Sequence, residues 1–281
     1  MRPEVEQMPV SSKIISNALF RSLVEGPLLI GDLPEAGMFP YGDFVFPEEV
    51  PELNLQQKLG HLYEDALAEM ITVCPAYELL ERSLQIRRTA GATLGEMDFL
   101  LRGPQSRDGG ALVHLELAIK FYLAVETVDG IELPGPDARD NYYKKLERMR
   151  THQLILAGKY RELLPEIYRE EPIATRQLVY GCLFDHVHAK QRAEPDFIHP
   201  RARRGLWLRY NECRDFFPEG TLFEVIPKQL WPVPGKLLAG IPLERWDRRA
   251  ALERCVMLRV NKGEMPYFIA PEGYPEVGGR G

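Results

Sequence analysis

Hydrophobic and polar residues alternate along the segment ALVHLELAIKFYL, residues 111–123. Alternation with a period of two predicts a β-strand whose successive side chains point to opposite faces. One face carries only apolar residues, namely Val113, Leu115, Leu117, Ile119, Phe121 and Leu123. The other face carries His114, Glu116, Ala118, Lys120 and Tyr122. We therefore expect the first face to pack on a core and the charged groups of the second face to need partners.

Further elements are predicted on both sides of this strand. Residues 93–102 are predicted to form a strand that reaches it through the polar turn GPQSRDGG, which gives a hairpin, and residues 77–88 are another strand candidate. Helices are predicted from about Leu53 to Val73 and from about Ala138 to Ala157, and a strand is expected over residues 178–187. The order helix, three strands, helix, strand predicts an α/β core with a mixed sheet flanked by helices.

The chain is predicted to form one domain. Its 281 residues, 45% of them hydrophobic, are enough for a sizeable core. Residues 1–51 contain many Pro and Gly residues and are predicted to be an irregular N-terminal extension. Residues 52–190 contain the predicted core. Residues 191–281 have short elements separated by prolines and are predicted to be a C-terminal accessory region packed on that core.

Composition narrows the function only slightly. The formal net charge of −6 argues against a protein that coats nucleic acid electrostatically, although it allows a local basic groove. The four cysteines form no C-x-x-C pair, so buried free thiols are expected. Charged residues interrupt the apolar residues near the N-terminus, and no run approaches the roughly 20 apolar residues that span a bilayer. We therefore expect a cytoplasmic protein without a membrane partner.

Two polar residues fall on apolar faces of the predicted helices. Glu64 shares a face of the first helix with otherwise apolar residues, where an unpaired carboxylate is costly. Gln153 falls in the apolar stripe of the second helix, where its amide needs hydrogen-bond partners. The functional interpretation is that a cation, a hydrogen-bond donor or a metal compensates Glu64, and that the amide of Gln153 contacts a carboxylate or a phosphate. The alternatives are a surface glutamate and a core glutamine bonded to the backbone.

Two carboxylates are expected to meet on the hairpin. If Arg102 pairs with Leu112, Asp98 lies directly opposite Glu116, with Cβ atoms about 5 Å apart. Like charges so placed destabilise a sheet, and a divalent cation such as Mg²⁺ or Mn²⁺ would compensate them. The alternative is an exposed polar hairpin in which Lys120 pairs with Glu116.

The segment HPRARRGLWLRY, residues 199–210, interleaves basic with aromatic residues. Such a mixture is found where proteins bind nucleic acid. The candidate binding residues are Arg201, Arg203, Arg204, Trp207 and Arg209. A solvated basic turn followed by a tryptophan in the core is the more usual explanation of such a segment.

The order of the candidate residues resembles that of the PD-(D/E)XK phosphodiesterase superfamily, which includes many nucleases. That order is a helix glutamate (Glu64), a strand aspartate (Asp98), a glutamate and lysine on the next strand (Glu116, Lys120) and a helix glutamine (Gln153). More closely, the motifs LGEMDFLL, HLELAIKFYL, RTHQLIL, YGCLFD, RRGLWLRY and FEVIPKQLWPVP resemble domain of unknown function family 1853, an uncharacterised bacterial family grouped with that superfamily. The resemblance runs from about residue 59 to residue 275.

The resemblance implies a restriction-endonuclease-like fold and a Mg²⁺- or Mn²⁺-dependent nuclease activity on nucleic acid. Asp98 and Glu116 would hold the metal, with Glu64 helping directly or through a water. Lys120 would orient the attacking water or stabilise charge on the phosphate. The sequence departs from the superfamily pattern because Ala118 occupies the place, two residues after Glu116, where the lysine is expected. The protein is therefore either an enzyme with a shifted lysine or a catalytically inactive module that binds nucleic acid or a protein. An enzyme that acts on another phosphate-containing substrate is a third alternative, because a fold does not determine its substrate.

Overall fold

The structure, a computed structural model, describes residues 11–88, 91–105, 109–249 and 252–275. The α-helices whose bounds it describes are α1 (Ser12–Glu25), α2 (Leu59–Val73), α3 (Tyr142–Arg148), α4 (Leu156–Lys159) and α5 (Cys213–Phe216). A π-helical turn, Met149–Gln153, follows α3 directly. In this part of the chain, no helix has the length and apolar composition that crossing a lipid bilayer requires.

Among the described residues, nine strands form one sheet and two more form a small hairpin. The strands are β1 (Gly37–Met38), β2 (Glu78–Arg87), β3 (Thr93–Arg102), β4 (Leu112–Leu123), β5 (Val125–Thr127), β6 (Gly130–Glu132), β7 (Ile173–His186), β8 (Arg204–Arg209), β9 (Phe223–Val225), β10 (Val256–Val260) and β11 (Pro266–Ala270). The large sheet has the order β2-β3-β4-β7-β8-β11-β10-β9, with β1 beside β7. Three neighbouring pairs in the middle of the sheet are parallel, namely β4-β7, β7-β8 and β8-β11. The pairs on either side of them are antiparallel, namely β2-β3, β3-β4, β11-β10 and β10-β9.

Helices cover both faces of this sheet. On one face, α1 and α2 pack with the apolar residues of β4 such as Leu115 and Phe121. On the other face, α3, the π-helical turn and α4 pack on β3 and β4, where Tyr122 contacts the Tyr142 ring edge to face. The prediction of a mixed sheet flanked by helices is confirmed.

The hairpin of β3 and β4 has the predicted register. Arg102 pairs with Leu112, and the pairing continues to Phe99 and Leu115. Each strand begins and ends within a residue of its predicted bounds. Alternation of side chains fixes the register, because a slip of one residue would turn the apolar face of β4 away from the core.

The prediction of an irregular extension over residues 1–51 was wrong for the segment that forms α1. Ile15, Leu19 and Leu23 recur at the helical spacing of four residues and are buried in the main core. After α1, the chain up to Pro51 contains short elements such as β1. Residues 1–10 lie outside the described residues.

The prediction of an accessory region over residues 191–281 was wrong for the described residues of that segment, because their strands extend the central sheet. β8 pairs with β7, so that Leu206 lies beside Asp185, and β11, β10 and β9 follow it in the sheet. The prolines between these short strands look like loop signals. Pro266, however, is the first residue of β11, where a strand accepts proline.

Both predicted helices begin later than the pattern indicated. α2 begins at Leu59 instead of Leu53. α3 begins at Tyr142, because the side chain of Asn141 caps it by accepting hydrogen bonds from the backbone N–H groups of Tyr143 and Lys144, at 3.0 and 3.5 Å. The predicted single helix over residues 138–157 is thus three shorter segments.

Candidate active site

β3 and β4 separate where the two predicted carboxylates lie. The last paired residues are Phe99 and Leu115. Beyond this pair, the Leu117 N–H of β4 donates its hydrogen bond to a side chain of β3 instead of to the β3 backbone. The acceptor is Asp98 Oδ2, at 2.8 Å. The Asp98 N–H in turn donates to Glu116 Oε1 at 3.4 Å. The two carboxylates therefore lie side by side where the sheet opens.

Glu116 is buried, with only 3% of its surface exposed, and each of its carboxylate oxygens accepts a hydrogen bond. Oε1 accepts from His114 Nε2 at 2.8 Å, and Oε2 accepts from Gln153 Nε2 at 3.2 Å. His114 is fully buried, and among the described residues its Nδ1 has no hydrogen-bond partner. Sequence reasoning gave His114 no role, although its position two residues before Glu116 on the same face was a usable signal.

Asp98 combines burial with negative neighbours. Burial and the charge of Glu116 raise the pKa of Asp98 from its ordinary value of 3.8 to about 8, and Glu64 and Glu96 act weakly in the same direction. The hydrogen bond from the Leu117 N–H opposes this shift. Two adjacent carboxylates that cannot easily ionise together are typical of a functional site that binds a cation.

Glu64 on α2 lies near this pair, since its charge contributes to the raised pKa of Asp98. Its side chain is 17% exposed, and its Oε2 is 3.2 Å from Nδ1 of His61, one turn earlier in the same helix. The partner expected for this carboxylate is thus a histidine that is itself largely exposed. Three predicted acids, Glu64, Asp98 and Glu116, therefore lie in one region of the fold.

Gln153 belongs to the π-helical turn and connects the acids to a lysine. The Leu154 N–H donates to the Met149 carbonyl at 2.9 Å, five residues back, which identifies the π-helical turn. The amide oxygen of Gln153 accepts from Lys145 Nζ at 3.1 Å, and its nitrogen bonds Glu116. The buried amide therefore has the polar partners that its position predicts.

Lys145 was missed by the sequence analysis because of the π-helical turn. Eight residues of a regular α-helix would leave Lys145 and Gln153 about 80° apart around the axis. The wider turn absorbs one residue, which reduces the separation to about 20°. The two side chains can then meet on one face, a geometry that hydrophobic periodicity alone does not reveal.

Lys120 is not placed against the acidic pair. Its Nζ donates to Asp140 Oδ2 at 2.9 Å. Four residues along a strand correspond to about 13 Å of backbone, so Lys120 and Glu116 are far apart unless the lysine leans back. The alternative of an exposed hairpin with a Lys120 to Glu116 pair is wrong, because Glu116 is buried and bonded to other groups.

The five residues predicted to bind nucleic acid do not form one surface. Trp207 is 1% exposed and donates its indole N–H to a backbone carbonyl at 2.8 Å, so the ring cannot stack on a base. Arg203 is buried and also donates to a backbone carbonyl. Arg204 and Arg209 are partly buried with similar partners, and Arg201 is exposed. The tryptophan and Arg203 serve the core, which corrects that prediction.

An open cleft of about 1220 Å³ lies at the free edge of β4, past the point where β3 has separated. Ile119 and Phe121 of that edge line it, together with Gly60 at the start of α2, where a Cβ would lie 3.8 Å from Glu64 Oε1. Its charged lining residues are Lys58, Lys120, Arg139, Lys228 and Arg254 against Asp137, Asp140 and Glu253. The lining is therefore net positive although the whole chain is acidic.

A protein-family model described as Domain of unknown function (DUF1853) matches residues 47–270 of the chain. The chain belongs to this family. The DUF1853 match covers α2, the hairpin, the π-helical turn and β7 to β11. Neither a curated protein nor a solved structure matches the chain. The predicted family is confirmed, and the family model carries no activity with it.

The acids of this DUF1853 chain suit a hard divalent cation that takes few protein ligands. Within the described ranges, no group of three or more His, Cys, Asp and Glu side chains is arranged to hold a metal ion. Asp98 and Glu116 still offer adjacent carboxylates, and Mg²⁺ is commonly bound by one or two carboxylates together with waters and phosphate oxygens. His114 and Gln153 orient Glu116 as hydrogen-bond partners orient metal ligands. The donor set therefore fits Mg²⁺ or Mn²⁺.

Proposed function

We propose that this DUF1853 protein is a divalent-metal-dependent phosphodiesterase that hydrolyses nucleic acid, on a restriction-endonuclease-like fold of the PD-(D/E)XK type. The observation that supports this most directly is the pair Asp98 and Glu116 where β3 and β4 separate. Burying two like charges costs stability unless a cation compensates them. A bound metal therefore explains a carboxylate pair in such a place better than a role in folding does.

The residues have distinct roles in this proposal. Asp98 and Glu116 would hold Mg²⁺ or Mn²⁺, with Glu64 helping through a water, while Gln153 and His114 fix the orientation of Glu116. When bound, the cation would polarise the phosphodiester and lower the pKa of the attacking water.

Hydrolysis exchanges one bond at phosphorus for another. The oxygen of a water molecule forms a bond to phosphorus, while the bond to the leaving sugar oxygen breaks. Glu64 would accept the proton that the water releases, since its carboxylate lies near the pair and stays partly exposed. The leaving oxygen takes a proton from solvent.

The cleft is the proposed path of the nucleic acid. Its five basic residues can contact successive phosphates, and its lining includes Gly60 at the start of α2, one turn before Glu64. Lys120 lies in this cleft and would contact a phosphate next to the one that is cleaved. The cleft takes the role that residues 201–209 were expected to have.

A catalytically inactive protein that binds nucleic acid through the same cleft is the second candidate. Ala118 and the pairing of Lys120 with Asp140 favour it, because they leave no lysine of β4 beside the acids. Such a protein would tolerate the loss of Asp98 and Glu116.

Cleavage of single-stranded DNA, double-stranded DNA and RNA with Mg²⁺ or Mn²⁺ separates the two candidates. The variants are Asp98→Ala and, as a matched control, Glu96→Ala, because Glu96 is an exposed acid two residues earlier on β3. We expect Asp98→Ala to lower the rate at least about 100-fold and to abolish Mn²⁺ binding in calorimetry, because removing even an outer partner of a metal ligand costs about 10- to 100-fold. Folded wild-type protein that cleaves none of the three substrates would contradict the proposal.

A further inference from the structure

We propose that Lys145 is the catalytic lysine of this site and that its ammonium group contacts the phosphodiester held at Asp98 and Glu116. This inference rests on the proposed function, because it presupposes a phosphodiester at the acidic pair. Three observations support it: a hydrogen-bonded connection from Lys145 to the acids, a small residue at position 118, and the pairing of Lys120 elsewhere.

The connection runs through one amide group. Lys145 Nζ donates to Gln153 Oε1 at 3.1 Å, and Gln153 Nε2 donates to Glu116 Oε2 at 3.2 Å. The ammonium group is therefore separated from a proposed metal ligand by a single side chain. A phosphate bound beside Glu116 is large enough to span that separation. The lysine is partly buried, so its stem is held by its surroundings.

Ala118 leaves room for this lysine on β4. It lies on the same strand face as Glu116 and lines a small cavity together with Lys120, Lys145 and Met149. Because alanine has no atoms beyond Cβ, the stem of Lys145 can approach the strand from α3 at this position. The positive charge that β4 does not provide at position 118 is thus provided by the neighbouring helix.

The charges around Lys145 come from three elements. Burial lowers the pKa of Lys145, and the charges of Lys120 on β4 and Arg148 on α3 lower it further. Asp140, which precedes α3, and Glu116 on β4 act in the opposite direction. Because Gln153 connects Lys145 to Glu116, a phosphate bound at Glu116 would lie near the ammonium group.

Lys145 keeps its proton through the reaction. It donates hydrogen bonds to a non-bridging phosphate oxygen, where negative charge grows as the bond from water to phosphorus forms and the bond to the sugar oxygen breaks. Glu64 receives the proton of the water. Lys120, bonded to Asp140, stays at the neighbouring phosphate in the cleft.

Lys145→Met tests the assignment, with Lys144→Met as the matched control, because Lys144 is the adjacent, exposed lysine of α3. We expect Lys145→Met to lower the cleavage rate at least about 100-fold, as the loss of a donor to developing charge does, while Mn²⁺ affinity stays unchanged in calorimetry. Lys144→Met should cleave at the wild-type rate.

The outcomes separate this proposal from the proposed function. If Lys145→Met cleaves at the wild-type rate while Asp98→Ala is inactive, the assignment of Lys145 is overturned and the phosphodiesterase stands. If folded wild-type protein cleaves nothing, the proposed function fails, and the assignment fails with it.

A double-mutant cycle distinguishes contact with the phosphate from positioning of Gln153. If Lys145 acts only through Gln153, the Gln153→Leu variant and the Lys145→Met/Gln153→Leu variant cleave equally fast, and the proposal is overturned. We expect the double variant to be slower. Should Lys145→Met not fold, Lys145→Arg gives an independent readout, because a guanidinium stays charged to higher pH than an amine. The alkaline limb of its pH–rate profile should then move to higher pH, and an unmoved limb would overturn the assignment.

Discussion

The surroundings of Asp98 oppose its ionisation in the folded protein. Burial and the carboxylate of Glu116 raise its pKa to about 8, whereas the ordinary value is 3.8. Below the lower value, both folded and unfolded chains carry the proton. As the pH rises from 3.8 towards 8, the unfolded chain releases its proton first, so the stability that the protonated acid contributes falls and is lost once the pH passes the folded pKa. Asp98 therefore lowers the stability of the folded chain at pH values above its ordinary pKa of 3.8.

Asp98→Asn should therefore stabilise the metal-free protein at neutral and alkaline pH. The amide stays uncharged, and it can still accept from the Leu117 N–H and donate to Glu116. We expect the Tm difference between variant and wild type to increase from pH 5 to pH 8, measured in EDTA by differential scanning fluorimetry. The increase should be about 2–4 °C for each kcal/mol by which the substitution raises the free energy of unfolding. Glu96→Gln is the control on the same strand. A difference in Tm that does not change with pH would show that Asp98 ionises normally.

The hairpin and the helical segment differ in how far they can be predicted. Alternation in β3 and β4 fixes which residues face each other, so the meeting of Asp98 with Glu116 follows from the sequence. The π-helical turn does not, because periodicity over residues 138–157 reads as one helix. The placement of α4 on β3 is a tertiary contact: a Cβ on Gly95 would lie 2.7 Å from Leu156 Cδ1. No local pattern identifies the partner of that glycine.

Gly95→Ala should disturb this contact and, through it, the site. Overpacking is expected to cost about 1–3 kcal/mol of unfolding free energy, and cleavage should slow because a displaced α4 moves Gln153 away from Glu116. Leu156→Ala removes the obstructing methyl groups, so the same glycine substitution should cost less in that background. Urea unfolding of the four proteins measures the coupling. Additive effects would mean that this contact does not position α4.

The whole molecule contains features that no single segment shows. The central sheet continues through β8 to β11, which the sequence pattern assigned to an accessory region because those strands are short and lie between prolines. Because β8 belongs to this sheet, its Trp207 is buried in the core. The cleft joins cations from distant parts of the chain, among them Lys58, Lys120 and Lys228. A net charge of −6 cannot reveal such a distribution, since composition carries no information on position.

Nucleic acid should therefore bind along the cleft and not along residues 201–209. Lys58 and Lys228 are exposed cleft residues, and Arg201 is an exposed arginine of the other segment. In an Asp98→Asn host, the double variant Lys58→Ala/Lys228→Ala should weaken oligonucleotide binding. It should also reduce the slope of log affinity against log salt concentration, because fewer counterions are released. The expected reduction is about 0.7–0.9 for each phosphate that the protein no longer neutralises. Arg201→Ala should change neither quantity in fluorescence anisotropy. The opposite pattern, with binding sensitive to Arg201 and insensitive to the two lysines, would assign the interface to residues 201–209. Because these charges act on the backbone of the substrate whether or not a bond is cleaved, the result is independent of the catalytic role of Lys145.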